Sequence, residues 1–323
     1  MKLIPFQAVL PVKDKVALVT CRDYESYSVA ELASQLDYNP YSFLHIIKPF
    51  YQNQQKVDNQ KRLHQVNSKY KDFKSEKILQ KESHQGFYLH KIITETNVFV
   101  GIIAGLSVEE YRENKIEKHE DTLEYRVDLF KDYMKYAGFY TEPVLITYPD
   151  SDELNNWIKK QKKKRPHFEF ATHKKEIHYL WKIEKKEDIK FIQNIFSEMD
   201  CLYIADGHHR TESATKLHQE TGKNPHFMSY LIAESSLKIN EYNRVIKDLN
   251  GYSKTEFLKL LKQYFSIKNK GQTLYTPTEK FTFGMYLDGE FYKLRLKENE
   301  VDKSNVLKSL DTQILYDFVL NPI

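Results

Sequence analysis

Five consecutive residues, Asp206, Gly207, His208, His209 and Arg210, put a carboxylate, a glycine, two imidazoles and a guanidinium at one point of the chain. The apolar run CLYIA (201–205) reads as a short buried strand, and TESATKLHQETG (211–222) reads as a helix stopped by Gly222. The five residues therefore stand at a strand-to-helix turn. There Asp206 can cap the helix by accepting backbone N–H groups. Gly207 permits a tight turn and a close approach of a ligand to the backbone. The helix start offers unpaired N–H groups and a positive dipole end, which together form an anion site. Arg210 adds a guanidinium fork suited to phosphate. His208 and His209 point to different sides of the first turn, so one can face a ligand while the other packs beneath it. The plainer alternative is a capped helix with ordinary histidines.

Two further segments carry candidate chemistry. EKHEDT (117–122) sets His119 among Glu117, Glu120 and Asp121, with Thr122 placed to cap the next helix. A carboxylate such as Glu120 beside an anion site can hold Mg²⁺ or act as a general base. Its plain reading is a solvated acidic turn. YNRVIKDL (242–249) reads as strand-like and offers Arg244, with Tyr242 and Lys247, to the same phosphate pocket. An edge-strand arginine is the alternative there. A transition-metal site of His119, His208, His209 and Glu120 ranks below these, because adjacent histidines do not easily share one ion. No P-loop or Rossmann glycine pattern occurs, so a nucleotide site would be of another type. The basic run KKQKKKRPH (159–167) reads first as the solvated end of a helix and second as a nucleic-acid contact. It lacks the interleaved aromatics of single-strand binders.

The elements around these residues read as α+β with a mixed sheet. Ser28 with Glu31 and Ser107 with Glu110 look like capping boxes. Residues 58–81 suit a long surface helix, and Gly138 suits a helix terminus. KVALVT (15–20) and YSFLHIIKP (41–49) read as short strands. Residues 85–106 read as two strands turning near Thr96 and Asn97. PVLITY (143–148), HFEFAT (167–172), EIHYLWKI (176–183) and FMSYLIA (227–233) are further strands. FTFGMYL-DG-EFYKLRL is the strongest hairpin signal, since Asp288-Gly289 suits a type I′ turn. A chain of 323 residues allows two domains, 1–150 and 151–323, or one intertwined domain.

Composition narrows the class. Hydrophobic residues are 41% and charged residues 29%, enough apolar material for a real core. Forty-nine basic residues against 45 acidic ones give +4, well short of the field of a DNA packager. Anionic small molecules fit that balance as well as nucleic acid does. The lone cysteines Cys21 and Cys201 do not make a disulfide scaffold, which points to the cytoplasm. No apolar run approaches the ~18 residues of a membrane span.

The D-G-H-H-R turn resembles the phosphate-binding signature of the ParB/sulfiredoxin-like superfamily. It is closest to the form in that superfamily's free-serine kinases, and closer still to a large uncharacterised bacterial family labelled ParB-like. IPFQAVLP (4–11), NPYSFLHIIKP (39–49), KIEKHEDT (115–122) and YNRVIKDL (242–249) are similar to that family in the same order. Members usually run several dozen residues past the segment matching LDTQILYDFVLNPI, so the expectation is a truncated chain or a shorter branch. The resemblance implies a ParB/sulfiredoxin-like core and phosphoryl transfer from a nucleotide, ADP or ATP with Mg²⁺, to a small hydroxylated metabolite. The implied roles are catalysis by Asp206, His208, His209 and Glu120. Gly207, His209, Arg210, Arg244 and His119 would hold the nucleotide, and Glu120 and Asp206 the metal. The competing expectation is a nucleotide-dependent module that binds DNA or a partner without turnover. No helix-turn-helix pattern is evident to support it.

Overall fold

The computed structural model describes residues 1–49, 58–239, 241, 243–300, 305 and 307–322. The chain divides into two compact units, Met1–Ile239 and Asn240–Ile323.

The first unit opens with strands β1 (Leu3–Ile4) and β2 (Val9–Pro11), then helices α1 (Val16–Val19), α2 (Val29–Tyr38), α3 (Leu44–Ile47) and α4 (Asn59–Ser75). Next come β3 (Leu79–Lys81), β4 (Phe87–Ile93), β5 (Val98–Ser107), α5 (Val108–Arg112), β6 (Ile116–Glu117), α6 (Glu124–Ala137) and β7 (Val144–Tyr148). The unit ends with α7 (Asp152–Gln161), β8 (Phe168–Ala171), β9 (Ile177–Ile183), α8 (Lys186–Ser197), β10 (Leu202–Asp206), α9 (His208–Thr221) and β11 (His226–Ala233).

A nine-stranded mixed sheet organises this unit in the order β6-β10-β7-β11-β5-β4-β9-β8, with β1 added to β5. Two pairs are parallel, β6 with β10 and β7 with β11. The others are antiparallel, including β10 against β7, where a register shift falls between Ile204 and Asp206. The expected boundary near residue 150 lies inside this sheet, since strands from both sides of it pair.

Alternation along the strands sends Leu89, Ile102, Ile146, Leu231 and Ile204 to one face, where they join Leu154, Ile192 and Phe196 in one core. Each such fully buried side chain stabilises the fold by roughly 1.5–3 kcal/mol. A smaller core lies around Val66, Phe73 and Ala137, where α4 packs on α6.

Local chemistry sets the element ends. Ser28 and Glu31 form the expected capping box on α2. Gly138 closes α6 in the left-handed conformation that its φ of 82° requires. Ser107 caps α5 by accepting from Glu109 N, but there is no box, because the Glu110 carboxylate accepts from Lys2 N instead. Two expected strands are helical turns. Residues 16–19 form α1 and residues 44–47 form α3, because a four-residue apolar run carries no decisive period. The long helix expected over 58–81 ends at Ser75, and β3 takes up residues 79–81.

The second unit comprises α10 (Lys254–Tyr264), β12 (Phe265–Gly271), β13 (Thr282–Leu287), β14 (Glu290–Leu296) and α11 (Asp311–Leu315). Its sheet runs β12-β14-β13 over a core of Phe257, Leu261, Phe265, Tyr292 and Leu294. Asp288 and Gly289, both at positive φ, make the expected tight turn of the β13–β14 hairpin. No helix among the described residues is long and apolar enough to cross a membrane.

Candidate functional site

β10 delivers the chain to Asp206, and Gly207 turns it into α9. Gly207 has φ 99° and ψ 29°, a left-handed geometry that a side chain resists. A Cβ there would also lie 3.1 Å from Arg210 Nε. Gly207, rather than the expected Asp206, occupies the N-cap position, and no side chain caps the helix. The first intrahelical bond runs from Thr211 N to Gly207 O. The N–H groups before it have no helical acceptor, and the dipole end is open.

Asp206 has a different partner. Its Oδ2 accepts from Arg210 Nη2 at 2.6 Å. Arg210 Nη1 donates to Pro143 O at 2.6 Å and lies 3.2 Å from Glu142 Oε2. The guanidinium is thus braced between the end of β10 and the start of β7. Nε and one Nη2 hydrogen remain for a ligand.

The two histidines separate as their positions predict. His208 is only 3% exposed. Its Nδ1 lies 3.5 Å from Glu120 Oε2, and its buried Nε2 has no hydrogen-bond partner. The His119 ring meets it edge-on with centroids 4.5 Å apart. Burial first, and the neighbouring His119 second, push the His208 pKa below the usual imidazole value. The ring is therefore neutral near pH 7. His209 turns the other way: its Nε2 accepts from Leu123 N at 3.0 Å, which fixes the ring proton on Nδ1. Leu123, not the expected Thr122, is the N-cap of α6. His209 therefore holds the backbone at the start of that helix.

β6 lies parallel to β10, so the chain beyond it carries His119 and Glu120 to the level of the Gly207 turn. The structure thus gathers Asp206, Gly207, His208, His209, Arg210, His119 and Glu120. Arg244 lies in the second unit, in an exposed irregular segment rather than the expected strand. Tyr242 falls outside the described residues. Among the described residues, no group of three or more His, Cys, Asp or Glu is placed to hold a metal ion. The donors nearest that role are the Asp206 carboxylate, with Oδ2 engaged by Arg210, and the exposed carboxylate of Glu120.

Sequence reasoning missed Glu142 and Pro143, which hold Arg210 from the start of β7. It also missed a cavity of about 580 Å³ beside α9, lined among others by Tyr111, Lys118, Glu212, Thr215 and Gln219. Helical spacing puts Glu212, Thr215 and Gln219 on the α9 face that begins at His208. The 208, 212, 215, 219 spacing was the available signal. Tyr111 Oη donates to Glu212 Oε2 at 2.8 Å across this cavity.

A family model described as "Protein of unknown function (DUF1015)" matches residues 3–313. No curated protein and no solved structure matches the chain.

Proposed function

The chain belongs to the DUF1015 family, and we propose that it binds the phosphates of a nucleotide at the start of α9 and passes a phosphoryl group to a small hydroxylated metabolite. The reading follows the resemblance to free-serine kinases of the ParB/sulfiredoxin-like superfamily. One observation supports it above the rest: the uncapped start of α9, opened by Gly207, lies beside a buried imidazole whose Nε2 has no partner.

Phosphoryl transfer asks chiefly for positioning and charge neutralisation. The free N–H groups of the first α9 turn and the spare donors of Arg210 serve the phosphate oxygens. In its Nε2–H tautomer, His208 donates to an oxygen of the transferred or leaving phosphate. The acceptor hydroxyl forms the new O–P bond as the bond to the nucleotide oxygen breaks, and its proton passes to the Glu120 carboxylate. Asp206 orients Arg210. Bound Mg²⁺, which Glu120 and Asp206 would hold, would neutralise phosphate charge.

A thermal-shift series of the full chain with ADP, ATP and CTP, each with Mg²⁺, tests this beside Arg210→Gln and Glu120→Gln. A nucleotide at ~100-fold excess over its Kd should add ~2.7 kcal/mol of stability. The gain should vanish in Arg210→Gln, and turnover with small alcohols should vanish in Glu120→Gln. An unchanged gain in both variants sinks the reading. Binding without turnover would make the protein a nucleotide-dependent binding module instead.

A further inference from the structure

The other end of the main sheet holds a second cavity. The parallel strands β7 and β11 finish side by side there, with Tyr148 opposite Ala233. The chain then turns into α7 after β7 and into a 3₁₀ turn, Glu234–Ser236, after β11. Asp150 ties the two connections by accepting from Ser235 N at 3.0 Å and Ser235 Oγ at 2.7 Å. Between them is a cavity of about 220 Å³, lined by Asn155, Asn156, Lys159, Lys162 and Ser236 over a floor that includes Tyr148.

The charge in this cavity is unbalanced. Lys159 and Lys162 stand three residues apart on the last part of α7 and its cap, so both ammonium groups reach the same side. Neither ammonium has a hydrogen-bond or ion-pair partner among the described residues. Lys91 of β4 lies over the Tyr179 ring and close enough to act on Lys162. Asp152 is the carboxylate in the lining. Burial first, then Lys91 and Lys159, hold the Lys162 ammonium below the usual lysine range. Lys162 is half-buried and Lys159 exposed, and like charges disfavour one another until a counter-charge arrives. Asn155, Asn156 and Ser236 bring neutral donors to the same space. The volume lies below the ~300–1,000 Å³ of sites for drug-sized ligands. It suits a phosphoryl or pyrophosphoryl group rather than a whole nucleotide.

We propose that this cavity is a second anion site, in which Lys159 and Lys162 with Asn155, Asn156 and Ser236 hold the phosphoryl group of a small ligand. It stands apart from the Gly207 turn and does not depend on the function proposed there. It also accounts for the first part of the basic run that the α9 site leaves unused.

The test is residue-resolved acylation of the full chain, read by peptide mass spectrometry, with and without inorganic pyrophosphate at constant ionic strength. Lys159 and Lys162 should be protected several-fold and the exposed Lys259 should not. Protection should persist in Arg210→Ala, and the double variant Lys159→Gln/Lys162→Gln should lose one pyrophosphate site by calorimetry. Parallel arms with inorganic phosphate and with glycerol phosphate tell a free anion from a phosphomonoester as the better occupant. Equal acylation with and without pyrophosphate overturns the proposal, as does loss of protection in Arg210→Ala. Protection by a single-stranded oligonucleotide alone, spread over Lys160, Lys163 and Lys164, would replace it with a nucleic-acid surface.

Discussion

His90 illustrates what burial does to one residue. Its Nε2 lies 3.1 Å from His178 Nδ1, and the two rings stack. Burial, with His178 as a second cause, holds the His90 pKa down at about 4. The unfolded chain takes up a proton that the folded chain refuses. The stability this group contributes is therefore complete above the ordinary imidazole value, about 6.5, and is lost as pH falls toward 4. His178, His208 and His226 are pushed the same way, mainly by burial. Thermal unfolding should accordingly move to lower temperature between pH 7 and 4.5. His90→Gln should flatten that slope, removing at most roughly 3 kcal/mol of the acid-dependent loss. A slope unchanged in His90→Gln would contradict this account. Gly207 gives a second prediction at this scale. Gly207→Ala forces a Cβ into the left-handed region and against the Arg210 side chain. It should cost about 1–3 kcal/mol in denaturant unfolding.

At the scale of elements, caps decide where helices begin. Ser253 and Glu256 form a capping box on α10, as Ser28 and Glu31 do on α2. Ser253→Ala should lower stability by about 1 kcal/mol, read by denaturant titration of the full chain. These boxes, the Asp288-Gly289 turn and the glycine ends of α6 and α9 are local chemistry, and local chemistry was legible in the sequence. So was the gathering of His208, His209 and Arg210, because consecutive residues cannot be far apart. Less legible was what depends on distant partners. Asp206 looked like a cap, but the register shift in β10 and the brace from Pro143 and Glu142 turn its carboxylate to Arg210 instead. Short apolar runs such as 16–19 and 44–47 became helical turns through packing that no period in four residues records. The lysine cavity lay hidden because its floor comes from β7 and β11, some 85 residues apart in the chain.

Over the whole molecule, the two units carry separate cores, and the described residues between Leu237 and Leu249 belong to no helix or strand. Ile239 is 91% and Val245 98% exposed, which makes this stretch the expected first point of cleavage. Limited trypsin digestion should cut at Lys238, Arg244 or Lys247 before any site in the main sheet, as mass spectrometry of the early fragments would show. Early cuts within β4 or β5 would contradict the division. The single strand β7 has a further consequence. It is five residues long, so about 15 Å separates its two ends. Glu142 and Pro143 just before it hold Arg210, and Tyr148 at its end floors the lysine cavity. Two unit charges at that separation in water repel by only ~0.3 kcal/mol, and physiological salt, with a Debye length of ≈ 8 Å, screens much of that. An anion that entered both places would fill them as independent events. Its saturation curve would be a sum of two simple hyperbolas, with a Hill slope no greater than one.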